Sequence, residues 1–216
     1  MPSIHIAVLL MVTLPTIGAA QGAAAGQSGR RPLLPEAREI ALARSAAPAT
    51  VSAAAAVWVL GDSGYRLAVP GTNGAGCMVS RSWTLSIEPV CYDREGAATI
   101  MRMEMLHTEL LHAGRSLAEA EREVQAAIDR GEIRLPSRVA VSWMQSAAQQ
   151  LISDDGQPAG AWRPHLMLYS PHFTSTDLGV SAGDGAGGIM VVDGGSPKAM
   201  LLIVAGEFVQ PEGIPN

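Results

Sequence analysis

Short apolar runs separated by turn-forming residues fill the second quarter and the last third of the chain. Residues 57–69 hold two such runs around the sequence GDSG, which predicts a β-hairpin. Residues 77–92 predict a second hairpin in the same way. Further runs between residues 138 and 206 predict additional strands, some of them apolar enough to be covered on both faces.

Residues 94–130 carry a helical pattern instead. One apolar face recurs every three or four residues, at Ile100, Met103, Leu106, Leu110 and Ala113. After Gly114, the S-x-x-E pattern of Ser116 and Glu119 predicts the capped start of a second helix. A shorter helix is expected over residues 36–46. Strands, then helices, then strands predict an α+β fold, in which a mostly antiparallel sheet of hairpins is packed by the central two-helix segment.

The first residues have the pattern of an export signal. Residues 4–14 form an apolar run of about the length of a signal core, and Gly18 and Ala20 are small residues at the positions that a signal peptidase reads. No lysine or arginine precedes the run, and a buried N-terminal strand is the alternative. The run is shorter than the roughly 20 residues that cross a bilayer, so no stable membrane span is expected after signal cleavage.

This N-terminal pattern sets the expected organisation of an exported protein, periplasmic or extracellular. An Ala/Gly/Gln/Ser-rich tract follows the signal and is typical of a linker. The expected segments are a signal peptide (1–20), a flexible linker (21–34), a single α+β domain (35–210) and a tail (211–216).

Cys77 and Cys91 are the only two cysteines among the 216 residues. An oxidising compartment favours a disulfide, and their separation suits a bridge across neighbouring strands. A zinc site normally needs four ligands, often in CxxC pairs, which the sequence does not contain. We expect a structural disulfide, with buried free thiols or a reactive pair as alternatives.

Composition argues against several partners and cofactors. The net charge is −5 and there is no basic stripe, so nucleic acid is not an expected partner. Lys198 is the only lysine, and any Schiff-base chemistry would depend on it. Gly183, Gly185 and Gly188 match the spacing of a dinucleotide fingerprint, but a strand rather than a helix is expected after them. No cofactor is therefore predicted.

The segment VWVLGDSGY places Ser63 after an apolar strand. Residues 57–63 resemble the first block of GDSL-type esterases, and the resemblance implies a nucleophilic role for Ser63. The later Asp-x-x-His block of that family is missing, since neither His165 nor His172 has an aspartate three residues before it. GDSG also resembles the serine motif of chymotrypsin-like proteases, but no histidine lies between His5 and Ser63. The alternative is a hairpin turn, for which Asp62 and the flanking glycines are suitable residues.

Methionines and histidines gather in the segment IMRMEMLHTELLH. Met101, Met105 and His107 are candidate ligands for a soft metal ion. On a helix, however, His107 and His112 lie about 140° apart and cannot hold one ion together. No metal site is predicted, and methionine packing in the core is the alternative interpretation.

The segment RPHLMLYSPHF contains two further histidines. In a continuous strand, His165, Met167 and Tyr169 would line one face, and Pro171 would end the strand before His172. His165 is the first candidate for a general base or a ligand. A histidine satisfied by a backbone carbonyl is the alternative.

The segments GTNGAGCMVSR, EPVCYD and PHLMLY resemble those of an uncharacterised family of small exported bacterial proteins with two cysteines and no assigned activity. The likeness covers about residues 36–205. It implies export and one domain, and it implies no catalytic residue. No complete set of nucleophile, base and orienting group and no complete set of metal ligands can be assembled from the sequence. The expected function is therefore that of a non-catalytic binding or envelope-associated protein, whose partner is an unknown small molecule or envelope component. The alternative is a hydrolase that uses Ser63 or His165.

Overall fold

The computed structural model describes residues 31–81, 86–152, 157–181 and 187–213. The predicted signal peptide and most of the predicted linker lie outside these residues. The helices in the described part are α1 (Glu36–Arg44), α2 (Ala49–Ser52), α3 (Arg94–Ala98), α4 (Ile100–His112) and α5 (Leu117–Asp129). The strands there are β1 (Ala56–Gly61), β2 (Gly64–Val69), β3 (Gly76–Ser80), β4 (Glu88–Tyr92), β5 (Ala140–Met144), β6 (Leu151–Ile152), β7 (Pro158–Gly160), β8 (His165–Tyr169), β9 (Ile189–Val192) and β10 (Met200–Val204).

Within the described residues, eight strands form one sheet in the order β2-β1-β3-β4-β5-β8-β10-β9, and β6 pairs with β7. Neighbouring strands are antiparallel except β1 and β3, which run parallel. The predicted α+β fold with a mostly antiparallel sheet is confirmed. The predicted hairpins are β1–β2 and β3–β4.

The two cysteines lie directly opposite each other on β3 and β4. Their Cα atoms are 4.0 Å apart, and the sulfur atoms form a disulfide bond. Both residues are buried. The predicted disulfide between Cys77 and Cys91 is thus confirmed, and it joins the two strands of the second hairpin.

Successive residues of β3 and β4 point to opposite faces of the sheet, and a different helical layer covers each face. Cys77, Val79 and Cys91 pack with Leu42 and Ala43 of α1. Met78, Val90 and Tyr92 pack with Ile100, Met101 and Met105 of α4. The described residues contain no helix long and apolar enough to cross a membrane.

A buried ion pair fastens α1 to the sheet. The side chains of Glu39 and Arg81 are both completely buried. Two guanidinium nitrogens of Arg81 donate to the carboxylate of Glu39 at 3.0 and 3.1 Å, and the backbone N–H of Leu60 donates to the same carboxylate. Arg81 also donates to the carbonyl oxygen of Val79. The carboxylate therefore keeps its polar partners while excluded from water.

Candidate functional site

A cavity of about 440 Å³ lies on the face of the sheet that α4 covers. Its wall includes α4, β6 and the segment that carries Trp162, and its floor is formed by alternate residues of four strands. The floor residues are Glu88, Val90 and Tyr92 from β4, Met144 from β5, His165, Met167 and Tyr169 from β8, and Met200 and Leu202 from β10.

Strand register decides which of these floor residues are neighbours. Met144 of β5 pairs with His165 of β8, and Tyr169 of β8 pairs with Met200 of β10. Strands β4 and β8 are both antiparallel to β5, which lies between them. Their N-terminal residues, Glu88 and His165, therefore lie at the same end of the cavity. The predicted placement of His165, Met167 and Tyr169 on one face is confirmed.

Glu88 is a buried carboxylic acid at that end of the cavity. The indole N–H of Trp162 donates to its Oε1 atom at 3.0 Å. Burial raises the pKa of Glu88, the hydrogen bond from Trp162 opposes this change, and the negative charge of Glu104 adds to it. Glu88 therefore holds a proton to higher pH than an exposed glutamate does.

His165 is buried beside Trp162 and is held by the backbone. Its Nδ1 atom lies 2.7 Å from the carbonyl oxygen of Arg163. Because a carbonyl only accepts, Nδ1 carries the proton, and Nε2 of the neutral ring has the lone pair. Burial lowers the pKa of His165, against a smaller opposing effect of that hydrogen bond. The ring therefore favours the neutral form. It stands nearly perpendicular to the indole of Trp162, with centroids 6.4 Å apart.

Two tyrosines lie on the floor further along the cavity. Burial is the main cause that raises the pKa of both Tyr92 and Tyr169, and the negative charge of Glu104 on α4 raises them further. Their hydroxyl groups therefore stay protonated, and that of Tyr169 donates to the sulfur of Met167 at 3.7 Å. The cavity combines a mainly apolar floor with protonated hydroxyls and a buried acid.

A second cavity, of about 380 Å³, lies between α4 and α5. It shares Met103, Glu104 and Lys198 with the first cavity. The two spaces are therefore adjacent, and Lys198 lies where they meet.

Ser63 lies in the exposed turn between β1 and β2. Four strand spacings separate β1 from β8 in the sheet order, which is about 19 Å at the usual distance between neighbouring strands. The structure therefore does not bring Ser63 and His165 together. His172 is exposed beyond the end of β8, at a φ of 66°, with its Nδ1 atom 3.1 Å from the carbonyl oxygen of Gly195.

The candidate metal ligands lie apart on α4. Met101 and Met105 belong to the core beneath the sheet, and a Cβ atom at Gly76 would lie only 2.8 Å from the sulfur of Met101. His107 instead lines the second cavity, towards α5. In the described ranges, no three His, Cys, Asp or Glu side chains are grouped so that they could hold a metal ion.

Glu88 and Trp162 were not among the site residues predicted from the sequence. The sequence did contain a signal for Glu88, which lies two residues before Val90 and four before Tyr92. On a strand these three residues share one face, so an acid lies in line with residues expected to be buried. No local pattern indicates Trp162, because its partner is 74 residues away along the chain.

The chain was compared with protein-family models, with curated proteins and with solved structures, and no match was found in any of the three comparisons.

Proposed function

We propose that the protein binds a small, largely apolar molecule in the cavity that contains Glu88. The supporting observation is a cavity of about 440 Å³ with a mainly apolar floor and a buried, hydrogen-bonded acid at one end. Ligand sites are typically concave and apolar, with a few polar groups that orient the ligand. Here Glu88 and His165 would orient the ligand, while Met144, Met167 and Leu202 would contact its apolar part.

We also propose that this binding takes place after export. The apolar run over residues 4–14 and the small residues Gly18 and Ala20 support the proposal. The disulfide between Cys77 and Cys91 is compatible with an oxidising compartment. Mass spectrometry of the protein from its native host tests it: the expected mature chain begins at Gln21, and an intact N-terminus on a cytosolic protein would contradict it.

A second candidate function is proton-transfer catalysis by Glu88 and His165. It is favoured by one observation: the pKa of the acid is raised and that of the histidine is lowered within the same cavity. The serine-hydrolase alternative that uses Ser63 is supported less, because Ser63 lies on an exposed turn four strand spacings from His165. A fluorophosphonate probe tests that alternative, and labelling that is lost in Ser63→Ala would favour it.

A cavity-filling substitution tests the binding proposal. Titration with 1-octanol is expected to give saturable binding to the wild-type protein by calorimetry, and Met167→Trp is expected to abolish it by filling the floor. Leu168→Trp is the matched control, because it adds the same ring to the opposite face of β8. No binding to wild type, or equal binding to both variants, would contradict the proposal.

A further inference from the structure

We propose that the molecule bound in the cavity is an apolar cation, an alkylamine or quaternary ammonium compound, whose positive group lies beside Glu88 and Trp162. This inference rests on the proposed function, because it specifies the charge of the ligand that the cavity binds.

Acidic groups outnumber basic ones around the cavity. Glu88, Glu104 and Asp193 line it, against one ammonium group, that of Lys198. His165 adds no positive charge in its neutral form, which burial favours over the charged ring. The lining therefore favours a positively charged ligand over an anion.

Lys198 does not neutralise Glu88, because the two residues lie at opposite ends of the cavity. Lys198 is two residues before Met200, and Met200 pairs with Tyr169 at the C-terminal end of β8. Glu88 begins β4, at the end where His165 begins β8. The positive charge of Lys198 thus lies near the second cavity, and the site beside Glu88 remains acidic.

Aromatic rings are the second feature of the cavity, after its acidic groups, that favours a cation. Trp162, Tyr92 and Tyr169 all line the same cavity as Glu88. The faces of aromatic rings attract cations, and the attraction is strongest for tryptophan and for sites that exclude water. Of these rings, Trp162 is the one that contacts Glu88. The carboxylate buried beside it loses hydration, and a bound cation would compensate for that loss. An anionic ligand would instead increase the repulsion at Glu88.

Ligands of equal chain length and different charge test the inference. Octylamine, 1-octanol and octanoate are titrated separately by calorimetry at pH 8 into wild type, Glu88→Gln and the matched control Glu132→Gln. Glu132 is an exposed acid paired with Arg130, outside the cavity. Wild type is expected to bind octylamine at least about ten-fold more tightly than the other two compounds. Glu88→Gln should remove that advantage, so that octylamine and 1-octanol bind with similar affinity, while Glu132→Gln should keep the wild-type order of affinities.

The outcomes separate the two proposals. If 1-octanol binds and octylamine binds no more tightly than octanoate, the ligand is not a cation and the inference is wrong, while the binding proposal remains. If no compound binds to wild type, the binding proposal itself fails. Should Glu88→Gln not fold, Glu104→Gln replaces it, and the order of the three wild-type affinities decides the ligand charge in any case.

Discussion

The indole N–H of Trp162 donates a hydrogen bond to Oε1 of Glu88 at 3.0 Å, across 74 residues of chain. Glu88 is buried, whereas 49% of Trp162 is exposed. The same indole stands nearly perpendicular to the ring of His165. One surface residue thus contacts both of the titratable groups at that end of the cavity, and its indole N–H supports the carboxylate of Glu88.

Replacement of Trp162 by phenylalanine is expected to raise the pKa of Glu88 further, because it removes the hydrogen bond that lowers this pKa. The free energy of unfolding should fall by about 1 kcal/mol at pH 8 and by less at pH 4, where Glu88 is protonated and hydrogen-bonds less strongly. Carboxyl carbon NMR titration of Glu88 measures the first effect, and urea unfolding measures the second. Trp143→Phe, on the opposite face of the sheet, is the control; an unchanged titration in Trp162→Phe would contradict the interpretation.

Replacement of Glu88 by glutamine should make the protein more stable than wild type at pH 8, with a smaller difference at pH 4. Burial raises the pKa of Glu88 above the ordinary glutamate value of 4.5, so the native state binds more protons than the unfolded state above that pH. The contribution of Glu88 to stability is therefore present at low pH and is lost as the pH rises through the native-state pKa. The measurement is the difference in urea midpoint between variant and wild type across this range.

Two other titratable groups face Glu88 and shape the wild-type curve: Glu104 from α4 and His165 from β8. The pKa of His165 is lowered in the native state, so its contribution to stability depends on pH in the opposite way to that of Glu88. The contribution of His165 is present at high pH and is lost as the pH falls. Subtracting wild type from Glu88→Gln at each pH isolates Glu88. Glu119→Gln is a control of opposite sign, since hydrogen bonds from Ser116 lower the pKa of Glu119. If the stability difference between Glu88→Gln and wild type becomes smaller as the pH rises, the native state does not stabilise the protonated form of Glu88.

Local pattern was sufficient to predict the eight strands of the main sheet, but not the short strands β6 and β7. The order of His165, Met167 and Tyr169 on β8 follows from the two-residue period of a strand alone. The pairing of Cys77 with Cys91 follows from a hairpin whose two strands are close in sequence. The capping box of Ser116 and Glu119 is also local, and the structure has it.

The candidate site could not be predicted in this way, because it depends on strand order. Glu88 and His165 come together only because β5 is the single strand between β4 and β8. Periodicity specifies which face a residue occupies and not which strand lies next to its own. The same limit applies to Glu39: an acid in the first turn of a helix is usually an exposed residue, yet this one is buried by Arg81, 42 residues later.

Replacement of Glu39 by glutamine is expected to lower the free energy of unfolding by about 3–5 kcal/mol. The change leaves the guanidinium of Arg81 buried without its counter-charge, and both side chains are fully excluded from solvent. Urea unfolding monitored by circular dichroism measures the loss. Glu36→Gln is the matched control, because Glu36 pairs with Arg66 at the surface, where both side chains are more than half exposed. Glu36→Gln should lower the free energy of unfolding by less than about 1 kcal/mol. Equal losses for Glu39→Gln and Glu36→Gln would show that the Glu39–Arg81 pair is not buried in solution.

Removal of the disulfide by the double substitution Cys77→Ala/Cys91→Ala is expected to lower the free energy of unfolding by about 3 kcal/mol, because the unfolded chain regains the freedom of the closed loop. Urea unfolding of the variant and of oxidised wild type measures the difference. Wild type unfolded in urea with dithiothreitol is the control. Because both sulfur atoms are buried, dithiothreitol should reduce the disulfide only in molecules that urea has unfolded. A double variant as stable as wild type, or two thiols that react with Ellman's reagent in the native protein, would show that no bond joins β3 and β4.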